Sequence, residues 1–472
     1  MTALHVPARP EAPTAAANPW ITLVAVTGGQ FLAVLSTTVV SVALPTIGRD
    51  LHADATATEW IVNAYVLVYA SLLMLSGGLG DRFGRKGVFL LGMLTFALGA
   101  LIAGLAPNVP MLLAGRVIQG VGPALLVPTS LAVVRAAFPD ERERAVAIGA
   151  WSTSSGLALA VGPILGGVVV TGLGWRWVLL LNVPLVAVFA AVAALVVPRL
   201  PRTPATGRFD WQGALLTTTA IAALSFGLIE GRGQGWASAP ILAAFGLAAV
   251  AAVAFVRWER RHADPLVDLT LFGHRGFVAA NLAGAVAFFA FVGLIVYLSA
   301  YFQQVQGHSA VRAGLDVCAI GVAFALATPL SGRLVGRFGP RIPMVTGLTL
   351  GGLAVAGLLT VQRDTGIGSI WWLLAVGGFG IGLCLTPMTA TVLAAVHPHR
   401  AGMASSVHNA LRQLGQVLGV AVLGALAYSG PALSVTGLHH AFAVAGGSLL
   451  VMAVIAAAAL RTRAVEDGVT LP

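Results

Sequence analysis

The sequence predicts an all-α polytopic membrane protein with fourteen transmembrane helices, and three observations carry this. Of 472 residues, 58% are hydrophobic and only 9% charged, with a mean hydropathy of +0.90, whereas soluble domains carry roughly 25% charged residues. The apolar residues fall in long Leu/Val/Ala/Gly runs of about the 20 residues a transmembrane helix needs. They are not the short alternating segments of a β-barrel. Lys and Arg are also sorted by side. With spans alternating from a cytoplasmic N-terminus, twenty of the 27 fall in segments on one side, five on the other and two inside spans. Cytoplasmic loops carry that bias.

The spans are placed at about 20–45, 58–80, 87–106, 110–135, 144–171, 176–198, 210–230, 237–257, 276–303, 311–332, 342–361, 369–394, 403–428 and 438–460. The first is too long for a signal-peptide core and is expected to be retained. A single re-entrant hairpin is the alternative for the pair flanking Gly231–Trp236. Nine of ten tryptophans lie near span ends, as interfacial anchors do. The net charge of +10 would suggest nucleic acid in a soluble protein; here it belongs to the cytoplasmic loops, and no nucleic-acid partner is expected. Cys318 and Cys384 lie inside apolar runs and imply no disulfide framework. With no Walker loop, dinucleotide fingerprint, metal-ligand cluster or nucleophile elbow, neither an enzyme nor a bound cofactor or metal is expected.

The chain repeats itself. "GGLGDRFGRK" (Gly77–Lys86) and "GRLVGRFGPR" (Gly332–Arg341) share Gly77/Gly332, Leu79/Leu334, Arg82/Arg337, Phe83/Phe338 and Gly84/Gly339. The stretches beginning at Arg144 and Arg400 resemble each other in layout, matching span 5 to span 13. With spans 7 and 8 inserted, spans 1–6 and 9–14 become equivalent bundles. The expected organisation is a tail at 1–19, a six-helix bundle at 20–198, a linker with two inserted helices at 199–275, a second bundle at 276–460 and a tail at 461–472. Parallel six-helix repeats point to a transporter with its site between the halves.

In the first ten-mer, Gly77, Leu79, Asp81, Arg82, Gly84, Arg85 and Lys86 form G-x-L-x-D-R-x-G-R-K. This resembles the loop signature of the major facilitator superfamily, which implies that fold. Gly77 lets two helices approach closely, and Asp81 is placed to face a helix N-terminus, whose partial positive charge stabilises carboxylates. The resemblance implies that this helix is span 13, and that the contact latches one state of an alternating-access cycle. Gly336 replaces the Asp in the second copy, so the latch is one-sided. Arg116, Gln119, Gly120 and Gly122 match the superfamily's R-x-x-Q-G-x-G pattern in span 4. A mid-bilayer charge costs about 2.5–3.5 kcal/mol, so Arg116 is expected to face a cavity or a partner. In span 5, Gly162, Pro163, Gly166 and Gly167 match the G-P-x-x-G-G element of the superfamily's antiporters, which favours export. As physics alone it reads as a bent, tightly packed helix.

"WRWVLLLNVP" (Trp175–Pro184), "FDWQG" (Phe209–Gly213) and "LIEGRGQGW" (Leu228–Trp236) resemble stretches of the fourteen-helix drug:proton antiporters, among them actinobacterial antibiotic exporters. One departure matters: Ser36 stands where that family carries a span-1 carboxylate, and Ser41 where it carries Asn. Ser36 cannot titrate, so Asp316 in span 10 becomes the candidate coupling or substrate-sensing acid, with a local pair to Arg312 as the alternative. Arg412, Gln413, His408 and Asn409 in span 13 either line a cavity or bind helix to helix. The resemblance implies a secondary transporter that exports a small, fairly apolar drug or antibiotic-like compound in exchange for protons, driven by the proton gradient. It is expected as a monomer in a bacterial inner membrane with both termini cytoplasmic. An importer or metabolite carrier of the same fold is the alternative.

Overall fold

In hydrocarbon every backbone N–H and C=O must be paired within the protein, so each apolar run closes into a helix. A computed structural model describes residues 18–198, 210–262, 266–396, 401–429 and 432–460. The first half holds α1 (Pro19–Asp50), α2 (Ala55–Phe83), α3 (Arg85–Gly104), α4 (Val109–Ala137), α5 (Glu141–Leu173), α6 (Trp175–Leu180) and α7 (Asn182–Val196). Then come α8 (Trp211–Gln234) and α9 (Ala239–Glu259). The second half holds α10 (Arg275–Ala300), α11 (Ala310–Phe338), α12 (Arg341–Gly357), α13 (Ile367–Ala394), α14 (Ala401–Ala427) and α15 (Val435–Ala459). Together α6 and α7 make the sixth span, so later helix numbers run one ahead of span numbers. Among the described residues, thirteen segments are long and apolar enough to cross a membrane. The 29-residue α2, some of whose side chains lie outside the described residues, is the fourteenth. Both α8 and α9 are full-length spans, which removes the re-entrant alternative.

Polar residues at the breaks start the helices by accepting from otherwise unpaired N–H groups. Asp54 Oδ1 accepts from Ala57 at 2.7 Å, Asn108 Oδ1 from Met111 at 3.0 Å and Ser434 Oγ from Gly437 at 3.0 Å. The ends are a different matter. Hydropathy placed the end of the second span before its charges, yet α2 runs on through Phe83 and α3 begins at Arg85. Apolarity reports depth in the bilayer; a helix continues into the aqueous zone until some residue stops it. That residue is Gly84, at φ 94°, matched in the second half by Gly339 at φ 74°. Both occupy conformations that a Cβ disfavours. The repeated ten-mers are therefore two equivalent turns at one end of the molecule, here called the basic end.

The sixth span breaks for a local reason. Pro184 has no N–H to offer the carbonyl four residues back, and Asn182 Nδ2 instead donates to the carbonyls of Val178 and Leu179, each at 3.1 Å. Trp175 Nε1 and Arg176 Nη1 both donate to Asp50 Oδ2, at 2.7 and 2.9 Å. The Trp-Arg-Trp…Asn-x-Pro stretch thus fastens the end of α1 and kinks the span that follows.

The two halves repeat the same packing. In the first, α1 lies on α4 and α5, α2 on α4, and α3 on α4 and α7; in the second, α10 lies on α13 and α14, α11 on α13, and α12 on α13 and α15. The halves meet along α5 with α11 and α2 with α14. Helix α8 lies against both α2 and α14, with α9 packed on α8. Trp60 Nε1 donates to Glu230 Oε1 at 2.9 Å, holding α8 to α2.

The α5–α11 contact is made almost without side chains. A Cβ on Gly167 would sit 2.6 Å from the Ala310 carbonyl oxygen and 2.7 Å from Val311 Cα, and one on Gly314 would overlap the Pro163 carbonyl. Gly162 and Gly166 seat α5 against α1 in the same way, where a Cβ would overlap Thr38 Oγ1 or lie 2.9 Å from the Val39 carbonyl oxygen. Pro163 leaves the Leu159 carbonyl without its helical donor, and that oxygen lies against Gly321. Inserting side-chain volume into so close a contact costs about 1–3 kcal/mol. Gly167→Leu should therefore cut initial transport rates at least tenfold at unchanged membrane abundance. Gly172→Leu, on the same helix with nothing within 4 Å of its Cβ position, should leave them within twofold.

Candidate functional site

Between the bundles lies a cavity of about 610 Å³. It reaches from mid-depth, where Gln30 and Ser41 line it, to the basic end, where Arg135, Gly332 and Leu393 line its mouth. At the opposite end the bundles close on each other. There Gly167 of α5 meets Ala310 and Val311 of α11, and Gln303 Nε2 donates to the Val42 carbonyl at 3.0 Å.

The walls are mainly apolar and aromatic, from Trp151, Leu159, Phe288, Val292 and Phe324. Polar groups are set into them in pairs. Gln30 Nε2 donates to Ser155 Oγ at 2.9 Å across α1 and α5, and Trp151 Nε1 to Ser130 Oγ at 3.0 Å. Arg412 lines the cavity from α14, with its guanidinium 4.0 Å from the Phe288 ring centroid and Nη1 donating to Asn409 Oδ1 at 3.3 Å. His408, also at the wall, sets Nδ1 3.2 Å from Asn281 Oδ1, while its Nε2 meets no partner among the described residues.

Beside the cavity, three of the sequence candidates come together. Arg116, with no exposed surface, donates through Nη1 to Ser36 Oγ at 3.2 Å and to Gln119 Oε1 at 2.7 Å, and through Nε to the Ile61 carbonyl at 2.9 Å. Gln119 Nε2 donates to the same Ser36 oxygen at 3.2 Å. The guanidinium covers the Tyr65 ring at 4.3 Å, and Nη2 has no partner among the described residues. Ser36 is thus the shared acceptor of two donors, one of them cationic, on a third helix. Gly122 of the same motif abuts Phe96, and a Cβ there would lie 2.5 Å from Phe96 Cβ.

Asp316 is elsewhere. It is buried at the closed end, accepting from Arg312 Nε at 3.2 Å and lying 2.7 Å from His308 Nδ1, and the structure does not bring it to Arg116. In the loop motif, Gly84 makes the turn, Arg82 projects over Phe83 at 5.8 Å, and Lys86 Nζ donates to the Ala194 carbonyl at 2.7 Å. Arg85 begins α3. The side chains of Gly77 and Asp81 lie outside the described residues.

Glu59 lies near the start of α2. It is only 5% exposed, and its Oε1 and the Tyr297 hydroxyl both lie against the Cα of Gly424, between α2, α10 and α14 at the closed end. Asn63, one turn further, has no exposed surface and both amide atoms unpartnered among the described residues. The signal was available: two polar residues at i and i+4 on an otherwise apolar run share one helix face.

The model of the Major Facilitator Superfamily matches residues 26–420. The multidrug resistance protein Stp of Mycobacterium tuberculosis is 37% identical over 408 residues, covering 86% of this chain and 75% of that one. The methylenomycin A resistance protein of Streptomyces coelicolor is 36% identical over 409 residues, covering 87% and 86%. A solved structure of the peptide transporter POT in complex with sulfate superposes with a TM-score of 0.69 at 17% identity, covering 93% and 94%, a likeness of fold alone.

The trio makes a direct forecast. Removing the acceptor of two buried donors costs about 1–3 kcal/mol, so Ser36→Ala should lower the thermal unfolding midpoint in detergent. Ser36→Asp places a carboxylate opposite an uncompensated guanidinium and should raise it.

Proposed function

The chain belongs to the major facilitator superfamily, and from that premise we propose that it exports a small, fairly apolar drug or antibiotic-like compound across a bacterial inner membrane in exchange for protons. The observation carrying this is the cavity: sealed at one end by bare backbone, open at the other, and lined by a mainly apolar surface with polar side chains set among the aromatic and aliphatic ones, as small-molecule sites are. The names of the relatives, multidrug resistance and methylenomycin A resistance, fit the same reading. The basic end faces the cytoplasm by the bias of its Lys and Arg, so the cavity is loaded from inside. The bundles then rock, parting at α5–α11 and closing near the Gly84 and Gly339 turns. Asp81, beside the first turn, latches one of the two states.

Protons bias the cycle through buried carboxylates at the outer end. An ionised carboxylate is costly to bury, so protonation of Glu59 favours the state in which α2 and α14 close over it, and ionisation favours the state that opens it to water. Asp316, held against Arg312 and His308 in the same outer layer, is the second acid placed in the coupling path. Proton uptake from the acidic side thus returns the carrier to its cytoplasm-facing form, which is the sense an exporter requires.

Expression in a pump-deficient host, scored on a drug-susceptibility panel, tests the export reading: resistance to at least one compound, lost with Asp81→Asn at equal membrane abundance, is expected. In everted vesicles, Glu59→Gln and Asp316→Asn should each reduce accumulation driven by a pH gradient at least tenfold while substrate counterflow persists. If both variants stay fully coupled, these acids do not carry the proton.

A further inference from the structure

The cavity holds positive charge and, among the described residues, no acid. Its lining includes Arg412 at depth and Arg135 at the mouth, with His408 beside Arg412, and not one Asp or Glu. The mouth has a bland explanation. Arg135 lies close enough to Arg85 and Arg144 to feel their charge, and a cluster of cations at a cytoplasmic edge follows from topology alone. Arg412 does not. It sits three turns into α14, its Nε is buried without a partner, and its one hydrogen bond among the described residues is to neutral Asn409. A guanidinium offers five N–H donors in a fork that suits a carboxylate or sulfonate bidentately, and most of that fork is unused. Phe288 covers its face, which leaves the edge for a ligand.

Arg412 is half-buried at the wall of the open cavity, and a guanidinium partly withdrawn from water attracts a counter-charge. A protein carboxylate is one way to answer it. Resting on the export reading, we infer that here the cargo does: the cavity is selective for amphiphilic organic anions, an aromatic or polycyclic body bearing one carboxylate, sulfonate or ionised phenol. The body packs on Phe288, Phe324 and Trp151, and the anionic group meets Arg412. Lipophilic cations find two arginines and, among the described residues lining the cavity, no counter-ion, and are disfavoured. The arginines at the mouth raise the local concentration of anions on the loading side.

Three probes with one ring system and different charge test this: 9-anthracenecarboxylate, 9-anthracenecarboxamide and 9-anthracenemethylammonium. Binding to the full-length protein in nanodiscs is read by energy transfer from tryptophan to anthracene, with Trp151→Phe giving the contribution from the cavity wall. The carboxylate should bind at least tenfold more tightly than the ammonium compound. Arg412→Gln should erase that preference and leave carboxamide binding within threefold, which also reports that the variant is folded; Arg412→Lys should retain most of it. Equal or tighter binding of the cation by the unaltered protein would overturn the inference without recourse to any variant, as would a preference that survives Arg412→Gln. The two readings fail separately. Efflux of cationic compounds alone would sink anion selectivity and leave export standing, whereas absence of efflux for probes of every charge would sink export itself.

Discussion

The structure depends on how closely α5 and α11 approach. Gly167 on one helix and Gly314 and Gly321 on the other remove the side chains that would hold the backbones apart, and the outer ends of the two bundles seal through that contact. A seal of this kind orders few side chains when it forms and frees few when it breaks, so its free energy is small compared with interdigitated Leu or Phe. That suits a surface that must part and close in every cycle. Within each half, by contrast, large buried rings such as Phe96 and Phe442 fill the spaces between helices and hold each bundle together.

The polar groups follow the same economy. Arg116, Ser36 and Gln119 satisfy one another almost completely, with Tyr65 supplying a π-face, so they join three helices of one bundle. A hydroxyl at Ser36 keeps that network's charge fixed whatever the pH. On the export reading, the acids proposed for coupling are Glu59 and Asp316, which lie outward of that network, where the halves touch.

Much of this was legible in the sequence because hydrocarbon imposes a simple code. Fourteen apolar runs, the sorting of Lys and Arg and the twin ten-mers yielded the spans and the two-bundle repeat, and Gly84 and Gly339 explain why the ten-mers recur. The limits have physical causes. Hydropathy marks depth rather than helix ends, so α2 passes through Asp81 and Arg82 to Phe83. A broken span depends on one side chain turning back on its own helix, as Asn182 does, and composition is blind to that; the π-helical turn over Tyr301–Val305 left no local mark either. At the site, Arg116 was recognisable as a buried charge, but its partners come from α1 and α2, and no periodicity within α4 names them. Asp316 stands out as an acid within a span, while Glu59, equally buried, lies near a span end, where hydropathy gives an acid no special weight.

The inserted pair has a consequence for how cargo gets in. Because α8 touches α2 and α14 together while α9 lies outside it, the seam between the bundles is panelled on one flank, and the α5–α11 flank has no such cover. A hydrophobic solute dissolved in the inner leaflet therefore meets an asymmetric wall. On the export reading, lateral entry from the lipid favours the uncovered seam, so two helices outside the cavity lining would bias the direction from which cargo arrives.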